Sequence, residues 1–107
     1  MAFNYSFTDA AKEDLDEILS YISKELANPK AALTFIDNVE KAISQLIEFP
    51  QSGSVVENEY IKTENIRKVP VGNYMLYYKS DDTRSIVVII RIIYSKRSPE
   101  WISSQLV

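Results

Sequence analysis

The sequence contains no cysteine and no histidine among its 107 residues. Without cysteine there is no disulfide, no thiolate nucleophile and no Cys/His zinc site. Without histidine there is no imidazole to act as general base, so Ser-His-Asp and Cys-His catalysis are excluded. The two glycines are too few for a glycine-rich phosphate-binding loop. Any proton transfer must therefore use carboxylate, lysine, tyrosine or arginine side chains.

The chain also lacks a long apolar segment. Its longest apolar run, residues 86–90, has the length of a strand and falls far short of the ~18–20 residues that span a membrane. The first seven residues lack the basic region and apolar stretch of a secretory signal. No cluster of acidic residues suggests a metal site. We expect a cytoplasmic protein with no metal, cofactor or membrane association, folded as one domain over residues 1–107.

The first half of the sequence predicts a strand followed by two helices. Residues 3–7 alternate between aromatic and polar side chains, which is typical of a half-buried strand. Thr8 and Asp9 supply N-cap chemistry, and apolar residues then recur every three or four positions from Ala11 to Leu26. Asn28-Pro29 marks a second helix start, and the short link predicts an antiparallel helix hairpin. The second apolar stripe comprises Ala32, Ile36, Val39, Ile43 and Leu46, widened by Leu33, Phe35 and Ile47, and it ends near Phe49-Pro50.

The second half predicts a loop and then three strands. Residues 50–65 are polar and favour a loop, with a short turn near Val55-Val56 or Tyr60-Ile61. Residues 66–71, 74–79 and 85–94 have strand character, and the third is rich in β-branched residues on both faces, which predicts a central strand covered on both sides. Ser98-Pro99 predicts a short helix at the C-terminal end. The predicted fold class is α+β, with an N-terminal strand and a helix hairpin packed on a small, largely antiparallel twisted sheet. The neighbour of the first strand stays open.

Charge is divided unevenly between the two halves. Residues 1–48 contain four lysines against nine acidic residues, a net charge of −5, whereas residues 66–107 contain seven basic residues against three acidic ones, a net charge of +4. A basic sheet half suits a phosphate or an acidic protein partner. The alternative interpretation is that the acidic residues solvate the helix faces and that the basic residues pair with them.

Basic and aromatic side chains alternate in the sheet half. Together they suit base stacking and phosphate binding, although half-buried sheet packing is the favoured interpretation for any single tyrosine. Arg91 interrupts an apolar strand, which predicts either a structural ion pair with a helix carboxylate or a place in a concave site, the ion pair being slightly favoured. Lys96 and Arg97 are predicted to form an exposed basic cluster. The candidate residues for binding a partner or target are Arg67, Lys68, Tyr74, Tyr77, Arg91, Lys96, Arg97 and Trp101.

A succession of short motifs runs through nearly the whole chain. It comprises residues 7–22, Asn28-Pro29-Lys30-Ala31-Ala32, Phe49-Pro50, Ser52-Gly53, residues 67–74, 76–78 and 90–94, and Lys96-Arg97. In this order the motifs resemble the RelE/ParE superfamily of toxins. The resemblance implies the toxin of a type II toxin–antitoxin (plasmid stabilisation) module. It also implies a protein antitoxin as partner, whose extended segment wraps the toxin in a hetero-oligomer.

Members of the superfamily act on different targets, and the matched positions favour the ParE-like members over the RelE-like ones. RelE-like members cut mRNA on the ribosome and carry an arginine directly after the tyrosine that matches Tyr74, where this chain has Met75. A second catalytic arginine falls near Ser95 and a catalytic tyrosine near Trp101, although Lys68 matches a basic position. Residues 69–74 with Tyr77-Tyr78 look more like ParE. The resemblance therefore implies a non-enzymatic inhibitor of DNA gyrase.

Two alternatives stay open at this point. One is a metal-independent, ribosome-dependent mRNA endoribonuclease, for which the candidate catalytic residues are Lys68, Arg91, Tyr94, Lys96 and Arg97. The other is a homologue that has lost toxicity and only binds an antitoxin. In either case the charge division predicts that an acidic or amphipathic antitoxin segment crosses two basic pairs. These pairs are Arg67 with Lys68, and Lys96 with Arg97.

Overall fold

A computed structural model describes residues 3–56 and 65–106. The helices and strands in chain order are β1 (Asn4–Phe7), α1 (Asp9–Ser20), a π-helical turn (Tyr21–Glu25), α2 (Pro29–Glu48), β2 (Ser54–Val55), β3 (Arg67–Val71), β4 (Tyr74–Asp81), β5 (Ile86–Tyr94) and α3 (Pro99–Leu106). The predicted α+β fold, with its helix hairpin and C-terminal helix, is confirmed. No helix in these two ranges is long and apolar enough to cross a membrane.

Local capping chemistry fixes where the helices begin. The hydroxyl of Thr8 accepts a hydrogen bond from the Ala11 N–H at 3.1 Å, which satisfies one of the unpaired donors at the start of α1. The amide oxygen of Asn28 accepts in the same way from Ala31 at 3.0 Å at the start of α2. Ser98 begins α3 by accepting from the Trp101 N–H at 3.2 Å. All three predicted helix starts are therefore confirmed.

The sheet has five strands in the order β1-β5-β4-β3-β2. β1 pairs in parallel with the first half of β5, from Asn4 opposite Ile86 to Phe7 opposite Ile89, and the other neighbours are antiparallel. This answers which strand adjoins β1, a question that the sequence leaves open. β5 is therefore an interior strand over its first half, while its second half extends past the end of β1.

Both faces of the sheet are buried against helices. The α1–α2 hairpin covers one face, where the buried side chains are Ala11, Ile18, Phe35, Val39, Ile43, Leu46, Val71, Leu76, Tyr78, Val87, Ile89 and Ile92. α3 covers part of the other face, where the buried side chains are Val56, Ile66, Tyr77, Ile93 and Leu106. β5 contributes residues to both clusters, which confirms the prediction of a strand covered on both sides.

The segment after α2 differs from its prediction. A turn inside a loop was expected near Val55-Val56, but Ser54 and Val55 form a short strand that pairs with β3. The Tyr78 hydroxyl anchors this segment, because it donates to the Pro50 carbonyl at 2.8 Å and accepts from the Gly53 N–H at 2.9 Å. A Cβ atom at Gly53 would lie 2.5 Å from that hydroxyl, so only glycine fits there. The alternative turn at Tyr60-Ile61 lies outside the described residues.

The predicted apolar stripes of the helices are wrong at two positions. Leu26 was expected to continue the buried stripe of the first helix, but it lies beyond the π-helical turn and is 54% exposed. A π-helical turn holds more residues than an α-helical one, so the residues after it leave the phase that the 3.6-residue period predicts. Leu33, which was expected to widen the second stripe, is 64% exposed.

Candidate functional site

A large groove lies beside the second half of β5. It lies between α1 and the π-helical turn on one side and the start of α3 on the other, and has a volume of about 900 Å³. We call it the β5 groove. It is lined by Asp14, Glu17, Ile18, Tyr21, Ile22, Leu26, Ala31, Asn73, Tyr74, Arg91, Ile92, Ile93, Tyr94, Arg97 and Trp101.

An ion pair between α1 and β5 forms one end of the groove. The Arg91 guanidinium donates two hydrogen bonds to the Asp14 carboxylate, from Nε at 2.7 Å and from Nη2 at 2.8 Å. Its third nitrogen, Nη1, donates to the Gln105 side chain of α3 at 2.8 Å. The hydrogen bonds to Asp14 raise the pKa of Arg91 and outweigh the opposing effect of burial. The predicted structural ion pair is thus confirmed, and the charge of Arg91 is neutralised where it lies.

Hydrogen bonds to the main chain of β5 hold the start of α1 and the Asp14 carboxylate in place. Thr8, the N-cap of α1, also donates its hydroxyl hydrogen to the Ile90 carbonyl at 2.7 Å, which fixes the start of α1 against β5. Asp14 then lies beside β5, and its Oδ2 accepts the Ile92 N–H at 3.0 Å as well as Nε of Arg91. One carboxylate thereby satisfies a side-chain cation and a strand-edge donor together.

Aromatic rings line the other end of the groove. Phe35, Tyr74 and Tyr94 form an edge-to-face series, with ring centroids 5.3 Å and 5.9 Å apart. Burial raises the pKa of Tyr74, and the neighbouring Tyr21 and Tyr94 raise it further, so its hydroxyl keeps its proton at neutral pH. Tyr74 and Tyr94 therefore give this part of the groove an aromatic lining.

The Arg97 guanidinium lies over the Trp101 ring, 4.8 Å from its centroid, in a cation–π contact. Trp101 is 37% exposed and Tyr94 is 42% exposed, while Tyr21 and Leu26 across the groove are 50% and 54% exposed. Large apolar side chains that remain accessible on both walls of a groove are typical of a surface that binds another molecule.

The structure brings five of the sequence-predicted residues into this groove. They are Tyr74, Arg91, Tyr94, Arg97 and Trp101, and Lys96 is exposed in the adjoining turn. The prediction that these residues bind a partner or perform catalysis stays a prediction.

Three other predicted residues lie elsewhere. Tyr77 is 3% exposed and belongs to the buried cluster beneath α3. Lys68 lies opposite it on β3, two strands from β5. Arg67 is directed toward the segment after α2, where Nη1 donates to the Gly53 carbonyl at 2.7 Å and to the Gln51 carbonyl at 3.2 Å. Arg67 and Lys68 are thus on β3, two strands from β5, whereas Lys96 and Arg97 follow the end of β5. The prediction that an antitoxin segment crosses both basic pairs stays a prediction.

Sequence reasoning missed several residues of the groove. Asp14 was not singled out from the sequence, although the predicted ion pair of Arg91 with a helix carboxylate pointed toward the helices. Tyr21 and Leu26 were missed because the π-helical turn that orients them has no clear sequence signature. Among residues 3–56 and 65–106, no group of three or more acidic side chains is placed to hold a metal ion.

The fold of this chain is similar to the folds of several solved structures. The chain is similar to a chain of the chromosomal ParDE system from P. aeruginosa (TM-score 0.67, 18% identity, 87% of this chain and 96% of that chain covered). It is also similar to a chain of the RelBE2 toxin–antitoxin complex from Mycobacterium tuberculosis (TM-score 0.62, 24% identity, 88% and 99% covered). A third similar chain is a mutant of the E. coli toxin RelE in the free state (TM-score 0.59, 16% identity, 96% and 94% covered).

The family is shown by the sequence. Residues 5–99 match the family model of the ParE toxin of the type II toxin–antitoxin system parDE. The match covers most of the chain, and the chain therefore belongs to the ParE toxin family. Comparison with curated protein sequences gives no match. The prediction of a RelE/ParE superfamily toxin is confirmed.

Proposed function

We propose that this toxin inhibits DNA gyrase without performing a chemical reaction. The observation that carries the proposal is that the positions of two catalytic arginines of RelE-like members hold no cationic side chain in this chain. Met75, where RelE-like members carry an arginine, packs against the apolar cluster beneath α3. Ser95, near the second such position, donates its hydroxyl to the Asn73 carbonyl at 2.9 Å. The ParE family match supports the same assignment.

The state of Arg91 adds to this argument. Cleavage of RNA needs a cation that can reach the developing charge on phosphorus, or a group that can move a proton. The guanidinium of Arg91 already bonds a carboxylate with two nitrogens and an amide with the third. A side chain in that arrangement is a structural link and is poorly suited to bind a phosphate.

An mRNA endoribonuclease is the second candidate function, and one observation favours it. Arg91, Tyr94 and Arg97 line the same groove, and Lys96 is exposed beside them, so four of the five candidate catalytic residues lie in or beside it. Glu17 lines the groove and Glu13 is close enough to act on the charge of Arg91, so these acidic residues of α1 oppose the approach of a polyanion. We therefore place this function second.

The proposed partner is a protein antitoxin that neutralises this chain in a hetero-oligomer. The RelBE2 relative comes from a toxin–antitoxin complex, and the family description names a type II toxin–antitoxin system. The exposed apolar side chains on both walls of the β5 groove supply the kind of surface that such a partner would cover.

Induction of the gene without any antitoxin tests the proposal. We expect growth arrest, and we expect the purified protein to inhibit supercoiling of relaxed plasmid by DNA gyrase. Growth arrest with unaffected supercoiling would contradict the proposal, and codon-specific cuts seen by primer extension on translated mRNA would establish the endoribonuclease instead. Harmless expression would leave only a non-toxic, antitoxin-binding homologue.

A pair of arginine variants sharpens this test. Arg97→Glu reverses a charge in the groove, whereas Arg84→Glu makes the same change in the exposed turn between β4 and β5. If the groove contacts the target, Arg97→Glu weakens inhibition by about tenfold or more and Arg84→Glu leaves it unchanged. Equal effects of the two variants would mean that net charge, and not the groove, decides inhibition.

A further inference from the structure

The π-helical turn at Tyr21–Glu25 holds one residue more than a continued α-helix would. The Leu26 N–H donates to the Tyr21 carbonyl, five positions back, at 3.1 Å, and the Asn28 N–H donates to the Ile22 carbonyl, six positions back, at 3.1 Å. In an α-helix each N–H donates to the carbonyl four positions back. Single π-helical turns inside α-helices are rare, and they occur frequently at functional sites. This one forms part of the wall of the β5 groove.

The left-handed backbone of Ala27 shows that this π-helical register is strained. The φ angle of Ala27 is 48°, a conformation that is easy for glycine but unfavourable for a residue with a Cβ atom. Helices often end with one left-handed residue, and glycine or asparagine is the usual choice there. Asparagine is present one position later, but Asn28 has a φ of −134° and caps α2 with its side chain. The residue type that tolerates the left-handed backbone therefore lies one position beyond the place where the π-helical register needs it.

The apolar pattern of the sequence fits a continuous α-helical register instead. Ile18, Ile22 and Leu26 are spaced by four, which places them on one face of a continuous α-helix. Ile18 is buried and Ile22 packs against the core, yet Leu26 is 54% exposed. Loss of the π-helical turn would rotate Leu26 by about 100°, the angle of one residue in an α-helix, into line with Ile22. Because Ile22 lines the β5 groove, Leu26 would then cover part of the groove.

The two registers exchange their hydrogen bonds at one carbonyl group. In the structure the Ile22 carbonyl accepts from the Asn28 N–H. In the α-helical register it accepts from the Leu26 N–H, and the helix end moves by one residue, so the left-handed position passes from Ala27 to Asn28. The α-helical register loses the cap of α2, because Asn28 cannot combine a left-handed backbone with its capping geometry. The strain of one residue and the loss of one cap are of similar size, so the two registers are close in free energy.

We propose that residues 21–28 form a two-state element that controls access to the β5 groove: the π-helical register leaves the groove open, and the α-helical register closes it with Leu26. The movement begins after Ser20, because Thr8 and Asp14 bond the main chain of β5 and hold α1 in both states. A molecule that needs the open groove binds only the π-helical register. Its apparent affinity is reduced by the fraction of the chain in the closed state. The element requires neither gyrase nor an antitoxin as that molecule, so it stands apart from the proposed function.

Relaxation dispersion of the amide resonances of the free, full-length chain tests whether two states exist. We expect exchange on the microsecond-to-millisecond timescale at residues 21–28, with a minor population of about 1–10%. Residues 36–44 in the middle of α2 serve as the internal reference and should show no exchange. Absence of exchange at Leu26 and Asn28 would overturn the proposal. Exchange of equal size in α2 would overturn it as well, since it would report a motion of the whole chain.

The methyl resonances of Leu26 test whether the minor state closes the groove. A Leu26 side chain that enters the groove approaches the aromatic rings that line it, so its methyl chemical shifts in the minor state should differ from those in the major state. The same dispersion experiment on a methyl-labelled chain measures this difference. Identical methyl shifts in the two states would overturn the assignment of the minor state as a closed groove.

Two adjacent glycine variants should shift the two populations in opposite directions. Ala27→Gly relieves the strain of the π-helical register and should lower the minor population about fivefold. Asn28→Gly supplies glycine at the left-handed position of the α-helical register and removes the side-chain cap, so it should raise the minor population about threefold. Each variant adds one glycine to the unfolded chain, so a general loss of order would move both populations in the same direction. A shift in the same direction would therefore overturn the proposal.

Deletion of Lys24 removes the surplus residue itself. Lys24 is exposed, and without it the turn becomes α-helical while the residues that follow keep their places, so exchange at Leu26 should disappear. The control is deletion of Lys41, an exposed lysine of α2, which rotates Ile43 and Leu46 out of the core and should lower the melting temperature far more. Persistence of the exchange without Lys24 would overturn the proposal. Equal damage by the two deletions would also overturn it, because the turn would then contain no surplus residue.

Discussion

The two faces of the sheet are covered by helices of very different length and chemistry. On one face the 20 residues of α2 and the 12 of α1 pack apolar side chains against the strands. On the other face the eight residues of α3 bury a serine and use a glutamine to hold an arginine. A helix of eight residues has little stability of its own in water, so it depends on its contacts with the sheet. The hairpin face therefore supplies most of the stability, and the α3 face is the weaker layer.

The β5 groove lies where these two layers meet. Its first wall belongs to α1 and its second to the start of α3, and Arg91 joins them through Asp14 on one side and Gln105 on the other. A partner in the groove would therefore contact a rigid wall and a less stable one. Variants in each layer measure how much the two layers differ in their contribution to the free energy of unfolding.

The largest expected effect is the loss of a core side chain on the hairpin face. Leu46 is 1% exposed among the apolar residues beneath α2, and Leu46→Ala should lower the free energy of unfolding by about 3–4 kcal/mol. The matched variant Leu106→Ala removes the same atoms from α3, a helix of only eight residues whose surroundings can relax more easily. We expect it to cost about 1–2 kcal/mol. Urea denaturation of both variants measures the difference.

Equal losses in the two variants would mean that α3 is packed as firmly as the hairpin. The predicted inequality would also fail if Leu106→Ala were the more damaging change. The slope of the free energy against urea serves as the control, since it should stay at the wild-type value if both variants unfold from the same folded state.

The second effect comes from the ion pair that joins the two layers. Asp14→Ala leaves the Arg91 guanidinium without its carboxylate and the Ile92 N–H without an acceptor. Loss of one partner of a buried pair costs more than the pair contributes, and after allowance for partial exposure we expect a loss of about 2–3 kcal/mol. Thermal unfolding measures it, with Asp16→Ala, an exposed acid on the same helix, as the control.

The isosteric change Asp14→Asn tests the electrostatic part. It retains an oxygen acceptor but removes the negative charge, so it should cost about half as much as Asp14→Ala. If Asp14→Ala and Asp16→Ala are equally mild, the Arg91 side chain must find solvent easily, and the link between the layers is weaker than its geometry suggests.

A third effect concerns the hydroxyl that anchors the segment after α2. Tyr78→Phe leaves the Gly53 N–H and the Pro50 carbonyl without that partner, and we expect a loss of about 1–2 kcal/mol. Tyr77→Phe removes the hydroxyl of the neighbouring buried ring on the α3 face and serves as the matched control. Calorimetry of both variants at neutral pH checks the prediction. A larger loss for Tyr77→Phe would show that the α3 face depends on a hydroxyl more than the hairpin face does.

These tyrosines also determine how stability responds to alkaline pH. Burial raises the pKa of Tyr78 and Tyr77 above the ordinary value of 10.0, while hydrogen bonding to Gly53 and the charge of Arg67 partly offset the rise at Tyr78. The folded state holds these protons more tightly than the unfolded state does. Their contribution to stability is therefore complete below pH 10.0 and is lost as the pH rises through the folded-state pKa values. The melting temperature should fall steeply above that pH, and less steeply in Tyr78→Phe.

Features that depend on nearby residues were predicted from the sequence, and features that depend on distant ones were not. Thr8 and Asn28 cap their helices through bonds to residues three positions away, so the helix starts could be read directly. The β2 strand depends on pairing with residues 12 and 14 positions away, and the parallel pairing of β1 joins residues 82 positions apart, so no local pattern encodes either. Tyr77 and Tyr78 have the same side chain and adjacent positions, yet only the sheet determines which face each ring occupies.

For the candidate site, too, only what depends on nearby residues could be predicted from the sequence. Arg91 was singled out because a cation inside an apolar strand must find a partner, and that argument needs no knowledge of the fold. Its partner could not be named, because the choice of Asp14 depends on how far α1 runs beside β5. The groove wall was missed for a different reason. The π-helical turn changes the phase of the helix after Ser20, and a period of 3.6 residues carries no sign of it.

The smallest expected effect is a gain, and it tests the weaker layer directly. The Ser103 hydroxyl is buried beneath α3, and among the described residues it has no hydrogen-bond partner. A buried hydroxyl without a partner costs free energy, and alanine also favours the helical conformation more than serine does. Ser103→Ala should therefore raise the free energy of unfolding by about 0.5–1 kcal/mol. The control Ser104→Ala removes an exposed hydroxyl that donates to the Trp101 carbonyl at 2.6 Å, so it should give no such gain. If Ser103→Ala stabilises the chain and also slows amide exchange in α3, the short helix is limited by its own buried polar group. Destabilisation by Ser103→Ala would mean that this hydroxyl has a partner in solution, and that the two faces of the sheet are more alike than their composition indicates.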